Sequence, residues 1–440
     1  MQSAFAGGAI SAKVRIPMTP LERAHLVHDR LPAEGLFAEK AWLIAPQAFA
    51  LSPAHVTLLE KLGLVLHRFN TACNLLYRQS AAGKAHPWVA PLLDAGKPPE
   101  LVALSRHDKV KGQVAAVIRP DLILTDEGFA MSELDSVPGG IGLTTWLQET
   151  YTSLGDPVLG GADGMRKGFA SVLPEGDVLI SQESATYRPE MEWLVGAERV
   201  KSVEDYAPND KPAYRFFEAF DYPKLEKFRA GWQPGLPLTP PLKPYLEEKL
   251  WLALFWSRTL QEFWRQEIGE KGQKLLQSLI PYSWVLDPTP LPVHAVIPEL
   301  NIQSWAEMEK FSQKQRDLVL KISGFSELAW GARGVAVGSD MPAEEWSAQV
   351  RKGLAEFSMH PRVLMRFAKG GLAKQDYIAE NDEIVALNGR ARVCPYYFVA
   401  NDRVSLGGVL VTLAPADKKL IHGMRDAVIS PGMSSPPAAA

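Results

Sequence analysis

A chain of 440 residues with 46% hydrophobic and 22% charged residues is ordinary globular material, which excludes a disordered or fibrous protein. Its length implies roughly two to three domains rather than one core. With 47 basic against 50 acidic residues it has no broad positive field, so neither nucleic acid nor an anionic membrane is an expected partner.

The N-terminal stretch MQSAFAGGAISAKVRIPMTP has no long apolar core of the secretory kind. Residues 20–110 read as mainly helical; in SPAHVTLLEKLGLVLHRF, Ser52 and Pro53 form an N-cap followed by proline in the first turn. Residues 113–137 read as a hairpin: VAAVIRPDLIL, the turn TDEG, then FAMSELDSV. Pro138-Gly139-Gly140 then leads into a helix, IGLTTWLQETYTSLG. GDVLISQ at 176–182 is a β-rich run, ATYRPEMEWLVG after it is helical, and RVKSV suits the next strand. Strand followed by helix favours a small α/β domain here.

The proline-dense QPGLPLTPPLKP at 233–244 is the best linker candidate. A long helical pattern follows, YLEEKLWLALFWSRTLQEFWRQEIGEKGQKLLQSL, then IPYSWVLDPTPLP and a helix in QSWAEMEKFSQKQRD. Its most apolar part, LWLALFWS at 250–257, is followed by Arg258 and is far shorter than the roughly 20 residues needed to cross a bilayer. The expected protein is therefore soluble and cytoplasmic. LVLKISG and RGVAVG bracket a glycine-containing loop, EEWSAQVRKGLAEF is a helix, and RVLMRFA is a strand. VCPYYFVANDRVSLGGVLVTLA is a second hairpin, and the tail SPGMSSPPAAA is expected to be disordered. Cys73 and Cys394, the two cysteines, cannot form a disulfide framework and lack zinc-ligand spacing.

Chemistry concentrates first in the hairpin. Residues two apart share a strand face, so Arg119 points with Asp121 and Glu133 with Asp135; a turn near Asp126–Gly128 sets Asp121 opposite Glu133 to within one residue. Three crowded carboxylates repel unless a cation sits among them, and hard oxygen donors suit Mg²⁺. A solvent-exposed acidic face is the alternative, and the hairpin alone leaves both open. The second cluster is LVLKISGFSELAWGARGVAVG, where Lys321 ends a strand and Gly324, Gly331, Arg333 and Gly334 supply a flexible, basic loop. Such a loop suits phosphate oxygens, and equally suits a surface hairpin. Lys249 in EEKLWLALF, taken alone, is a solvated helical lysine.

In their order along the chain, these pieces resemble the circularly permuted ATP-grasp ligases, the group that includes glutathionylspermidine synthase-like enzymes. The metal signature of that family, an Asp on one strand then Glu-x-Asn and Pro-Gly on the next, resembles RPDLILTDEGFAMSELDSVPGG. It precedes the lysine-bearing EEK…IPYSWVL and LVLKISG…GARGVAVG elements, the inverted order of the permuted group. RVLMRFAKG resembles the strand leading into the adenine hinge, and ARVCPYYFVANDRVSLGGVLVTLAP the late arginine-bearing hairpin. The resemblance covers residues 110–430. Asp135 stands where the family has Asn, and Arg366 where Gln or Glu is common.

The resemblance implies an α/β protein with α+β elements: an ATP-grasp fold in circularly permuted order, a small α/β pre-ATP-grasp-like domain and a helical N-terminal region. The expected divisions are 1–110 helical, 111–160 the metal-binding hairpin, 161–240 the substrate-side domain, 241–430 the nucleotide-binding lobes, and 431–440 the disordered tail. ATP would meet Lys249, Lys321, Gly331, Arg333 and Gly334, while Asp121, Glu133 and Asp135 hold Mg²⁺. The implied activity joins a small-molecule or peptide carboxylate to an amine through an acyl phosphate, with Arg392 and Arg119 stabilising the developing charge. A cross-strand ion pair is the other reading of Arg392. Substrate contacts are expected at Ser181, Glu183 and Tyr187 in SQESATYR, where Ser184 reads as a helix cap; His422, Arg425 and Asp426 in HGMRDA are either structural or near the ligand. Two other functions compete: an inactive ATP-grasp nucleotide-binding partner protein, and a metal-dependent hydrolase, which would leave Lys249, Lys321 and the glycine loop unused.

Overall fold

The computed structural model describes residues 18–32, 41–329, 333–418, 420–421 and 426–435. Its centre is an eight-stranded, mainly antiparallel sheet built on two hairpins: Val117–Thr125 with Gly128–Asp135, and Ile384–Ala400 with Arg403–Pro415. Ile384–Ala400 pairs with Val117–Thr125, joining the hairpins, and Ala373–Ile378 extends it. The period-2 pattern of the long strand is legible in its packing. Ala391, Val393 and Tyr397 face a core formed with helix Pro53–Ala81 and the Leu250–Leu279 helices. Cys394, Tyr396 and Phe398 face a second core with helices Ile141–Ser153 and Gly164–Val172.

Two smaller sheets flank the cleft described below. One is wholly parallel, ordered Val200–Ser202, Asp177–Ile180, Ala213–Phe216, Leu238–Thr239, and contains the expected strand–helix–strand unit. The other is antiparallel, ordered Val335–Val337, Leu318–Ile322, Arg362–Arg366, Ser283–Val285, and packs on helix Ala343–Ala355. Ser52 caps Pro53–Ala81 through the His55 amide, with Pro53 in the first turn, as its sequence predicts.

Four expectations are corrected. The 233–244 segment is no free linker: Leu238–Thr239 is a sheet strand, and Leu242 and Lys243 are buried. The long helical pattern breaks into Leu250–Trp256, Gln261–Ile268 and Glu270–Leu279, with Gly269 at φ +80° between the last two. QSWAEMEKFSQKQRD forms only a 3-10 turn, Trp305–Lys310, whose ring Trp305 packs on the Trp346 core. Residues 431–434 do not belong to a disordered tail. Strand Val428–Ser434 pairs with Arg403–Pro415 and, in parallel, with Leu43–Ile44 and Phe49–Leu51; Pro431, opposite Leu410, falls between the stretches matched to the two parallel partners, and the strand is almost entirely buried. Among the described residues, no helix is long and apolar enough to cross a membrane.

Candidate active site

The acidic hairpin pairs Asp121 with Glu133 and Arg119 with Asp135, but its ladder shifts between Asp121 and Leu122, which pairs with Met131. Ser132 is therefore unmatched, a bulge. In an unbroken strand Met131 and Glu133 would share a face. Here Phe129 and Met131 face the helix Pro53–Ala81 core, while Glu133 and Asp135 line the cleft with Arg119 and Asp121. The bulge frees the Ser132 carbonyl, which accepts from the Lys321 ammonium at 2.8 Å.

Asp121 is 4% exposed and held by three donors: Arg119 Nε at 3.0 Å, Arg392 Nη1 at 3.2 Å and the Cys394 thiol at 3.4 Å. Burial alone would raise its pKa, but Arg119 and Arg392 outweigh it and hold the carboxyl below its usual range. Arg392 thus takes the cross-strand ion pair while still lining the cleft. Burial and the Asp121 charge push the Cys394 thiol up to about 12, so it is inert as a nucleophile. Arg119 also reaches Asp135 at 3.0 Å and the Gly139 carbonyl at 3.0 Å. Asp135 is raised by burial and by Glu133 and Asp121, against the pull of Arg119.

Pro138-Gly139-Gly140 turns into helix Ile141–Ser153 with Gly140 at φ +82°, where an added Cβ would lie 2.8 Å from the Tyr396 hydroxyl. The helix N-terminus is closed by the fully buried Glu190, which accepts from the Gly140 and Leu143 amides at 2.9 and 2.8 Å. It is therefore not an open anion site.

Lys249, at the start of Leu250–Trp256, and Lys321, on Leu318–Ile322, approach the hairpin from the opposite wall. Lys249 Nζ lies 2.7 Å from Glu133 and donates to the Ala329 carbonyl at 3.1 Å. Burial would lower its pKa, but Glu133, Asp135 and Glu218 raise it. Among the described residues Lys321 touches no carboxylate; burial, with repulsion from Lys249, lowers its pKa despite Glu133 and Asp121. It is a cation short of negative partners.

These residues line one cleft of about 860 Å³. Arg119, Asp121, Glu133, Asp135, Lys249, Lys321, Arg333 and Arg392 all reach it, with Met365–Gly370 along one edge and Ser184, Tyr187, Glu218 and Glu247 at the parallel-sheet end. Arg333 pairs with Glu183 at 2.8 Å. Gly334 lies outside the wall of the cleft, and Gly331, His422 and Arg425 lie outside the described residues. Ser181 is buried, donating to Asp221 at 2.8 Å, and Ser184 opens its 3-10 turn without a side-chain cap bond. Asp426 is exposed and pairs with Lys418 at 3.4 Å.

Sequence reasoning passed over Glu218, Glu247 and Glu190. Glu247 pairs with the fully buried Arg215, and burial together with the Glu247 charge raises the Glu218 carboxyl well above its usual range. Glu247 was visible only as the first letter of a charged run, EEK, and nothing in FFEAF or RPEME distinguishes a cleft acid or an internal cap from a surface one.

The three predicted metal acids present hard oxygen donors, but among the described residues no group of three or more candidate ligands lies close enough to hold an ion. Mg²⁺ needs no such cage, since one or two carboxylates suffice when waters and substrate phosphates complete the shell. Asp121 and Glu133, cross-strand partners, fit an ion that arrives with a phosphate ligand, and the raised Asp135 would gain from it.

No family model matches the sequence, and no curated protein matches it. Solved structures do. The chain superposes on a glutathione synthetase-like effector from Globodera pallida, in its apo form, with a TM-score of 0.54 over 96% of this chain and 98% of that one, at 10% identity. The two share a fold. A provisionally assigned γ-glutamylcysteine synthetase from Methylobacillus flagellatus KT matches 80% of this chain and 89% of its own at 12% identity, with a TM-score of 0.39 that sets no equivalence.

Proposed function

We propose that the protein is an ATP- and Mg²⁺-dependent carboxylate–amine ligase with the element order of a circularly permuted ATP-grasp enzyme. One observation carries this reading: Lys249 and Lys321, from separate elements, converge on the Asp121–Glu133 pair inside one cleft. A shared fold with a protein described as glutathione synthetase-like supports it.

On this reading Lys249 and Lys321 draw in the ATP phosphates, Lys321 being the less compensated cation. Mg²⁺, arriving with the phosphates and held by Asp121 and Glu133 with Asp135 beside them, would neutralise charge on the transferring phosphoryl group. An oxygen of the substrate carboxylate attacks the γ-phosphorus and ADP leaves. The amine then attacks the acyl carbon, and phosphate leaves as the amide forms. Arg392 and Arg119 line the same cleft, and on this reading they would stabilise charge on the acyl phosphate and its oxyanion. The acidic end of the cleft, Glu218 and Glu247, is suited to orienting the amine.

Thermal unfolding with ATP alone, Mg²⁺ alone and both together tests the nucleotide step, because a ligand of the folded state raises its midpoint by mass action. Mg-ATP is expected to raise it, and no response to any nucleotide would sink the ligase reading. Phosphate release with pooled amino acids and polyamines then separates a ligase from a nucleotide-binding protein. Turnover without ATP would mark a hydrolase.

A further inference from the structure

We propose that Lys97 and Glu248 are positioning residues for the phosphate-binding side of the cleft, a role that rests on the nucleotide reading above. Lys97 lies in the N-terminal region, between helices Val89–Asp94 and Pro99–Arg106, and its ammonium pairs with Glu248 where both side chains are only 1% exposed. Burying two opposite charges costs more in lost hydration than an apolar pair of the same volume would, so stability does not account for them. Their connections do.

The second oxygen of Glu248 accepts from the Ser323 hydroxyl, and that hydroxyl accepts from the Leu250 amide at 3.0 Å. The Ser323 carbonyl accepts from the Lys249 amide at 2.9 Å. Ser323 directly follows the strand that carries Lys321, so one carboxylate ties the backbone of Lys249 to the end of the Lys321 strand. Gly324 rests on the same group, since a Cβ there would lie 2.9 Å from Glu248 Cδ. Phe325 has φ +32°, a conformation a bulky residue keeps only when its surroundings impose it. The Lys97 ammonium stands 5.6 Å from its ring centroid. The neighbouring Glu247 turns the other way, to the buried Arg215 of the parallel sheet. Lys249, Gly324 and Phe325 all line the cleft. The N-terminal region thereby sets where two phosphate-side elements stand.

The test is the charge-balanced double variant Lys97→Met/Glu248→Leu, with unfolding followed in urea and binding by calorimetry to Mg-ATP, Mg-tripolyphosphate and adenosine. The urea midpoint is expected to stay at or above that of the parent, while affinity for both phosphate ligands falls at least tenfold and that for adenosine holds. The swapped pair Lys97→Glu/Glu248→Lys restores part of the loss. Unchanged phosphate affinity in the folded double variant, or an equal loss for adenosine, overturns the proposal. Should the double variant not fold, Glu248→Gln, which keeps an acceptor for Ser323, decides by the same phosphate-against-adenosine comparison. A parent protein that binds Mg-ATP while the variant binds it equally sinks only this role; a parent that binds none of the three sinks the nucleotide reading and this role together.

Discussion

The Lys249 ammonium lies 2.7 Å from the Glu133 carboxylate, so a cation suited to phosphate and an acid suited to metal neutralise each other across the cleft. Arg119 and Arg392 do the same for Asp121. On the proposed reading, Mg-ATP would exchange these partners, phosphate taking the lysine and the metal taking the acid.

That exchange predicts strong mutual dependence of the two ligands. Mg²⁺ alone should leave the unfolding midpoint unmoved, since the described residues close no cage around it. Glu133→Gln releases Lys249 and removes a negative charge facing the phosphates. Metal-free ATP should then bind the variant about tenfold more tightly than the parent, roughly 1.4 kcal/mol, while the gain from adding Mg²⁺ is largely lost. Calorimetry with and without the metal measures both, and a parent-like Mg²⁺ dependence in the variant would refute the exchange.

Asp121→Asn takes the carboxylate partner from Arg392 and leaves Arg119 with Asp135 alone in a buried setting, a loss expected to cost about 3–5 kcal/mol in urea unfolding. The pH sign follows from its lowered folded pKa: the contribution is present above the unfolded carboxylate value, near roughly pH 4, and fades as pH falls through the folded value. The variant should show a shallower acid limb.

Glu190→Ala orphans two amides at the start of a buried helix and empties the volume of its side chain, for an expected loss of about 2–4 kcal/mol. Glu190→Gln retains an acceptor and should lose less than half of that in the same denaturation series.

Lys243 is fully buried; its ammonium donates to Asn74 Oδ1, the Gln113 carbonyl and the Lys111 carbonyl at 2.8, 2.7 and 3.3 Å, with no carboxylate partner among the described residues. Burial, with repulsion from Arg78, lowers its pKa to about 7. Between that value and the unfolded one, near roughly 10.4, the unfolded chain holds the extra proton, so stability rises with pH across the window. Lys243→Met should flatten the rise in urea midpoint from pH 7 to 9.5; an unchanged slope would place the titrating group elsewhere.

Much of the fold could be read locally. Both long hairpins, the parallel strand–helix–strand unit and the capped helix at Ser52 follow from alternation, turn residues and a cap that act over a few positions. The buried strand Val428–Ser434 could not, because Pro, Gly and Ser dominate it and its burial depends on three partner strands distant in sequence. The same holds for the broken helical run after Tyr245, where tertiary packing overrode a continuous periodic pattern.

For the cleft, the sequence by itself determined which residue types were at hand and that Arg119, Asp121, Glu133 and Asp135 belong to one hairpin, since strand geometry is a short-range property. It did not determine the face. The unmatched Ser132 rotates Glu133 and Asp135 away from the Met131 core and offers its carbonyl to Lys321, a choice that depends on where a strand almost two hundred residues later comes to rest. Only the tertiary structure could decide that, because the free energy of a bulge lies in the partners it meets rather than in the residues that form it.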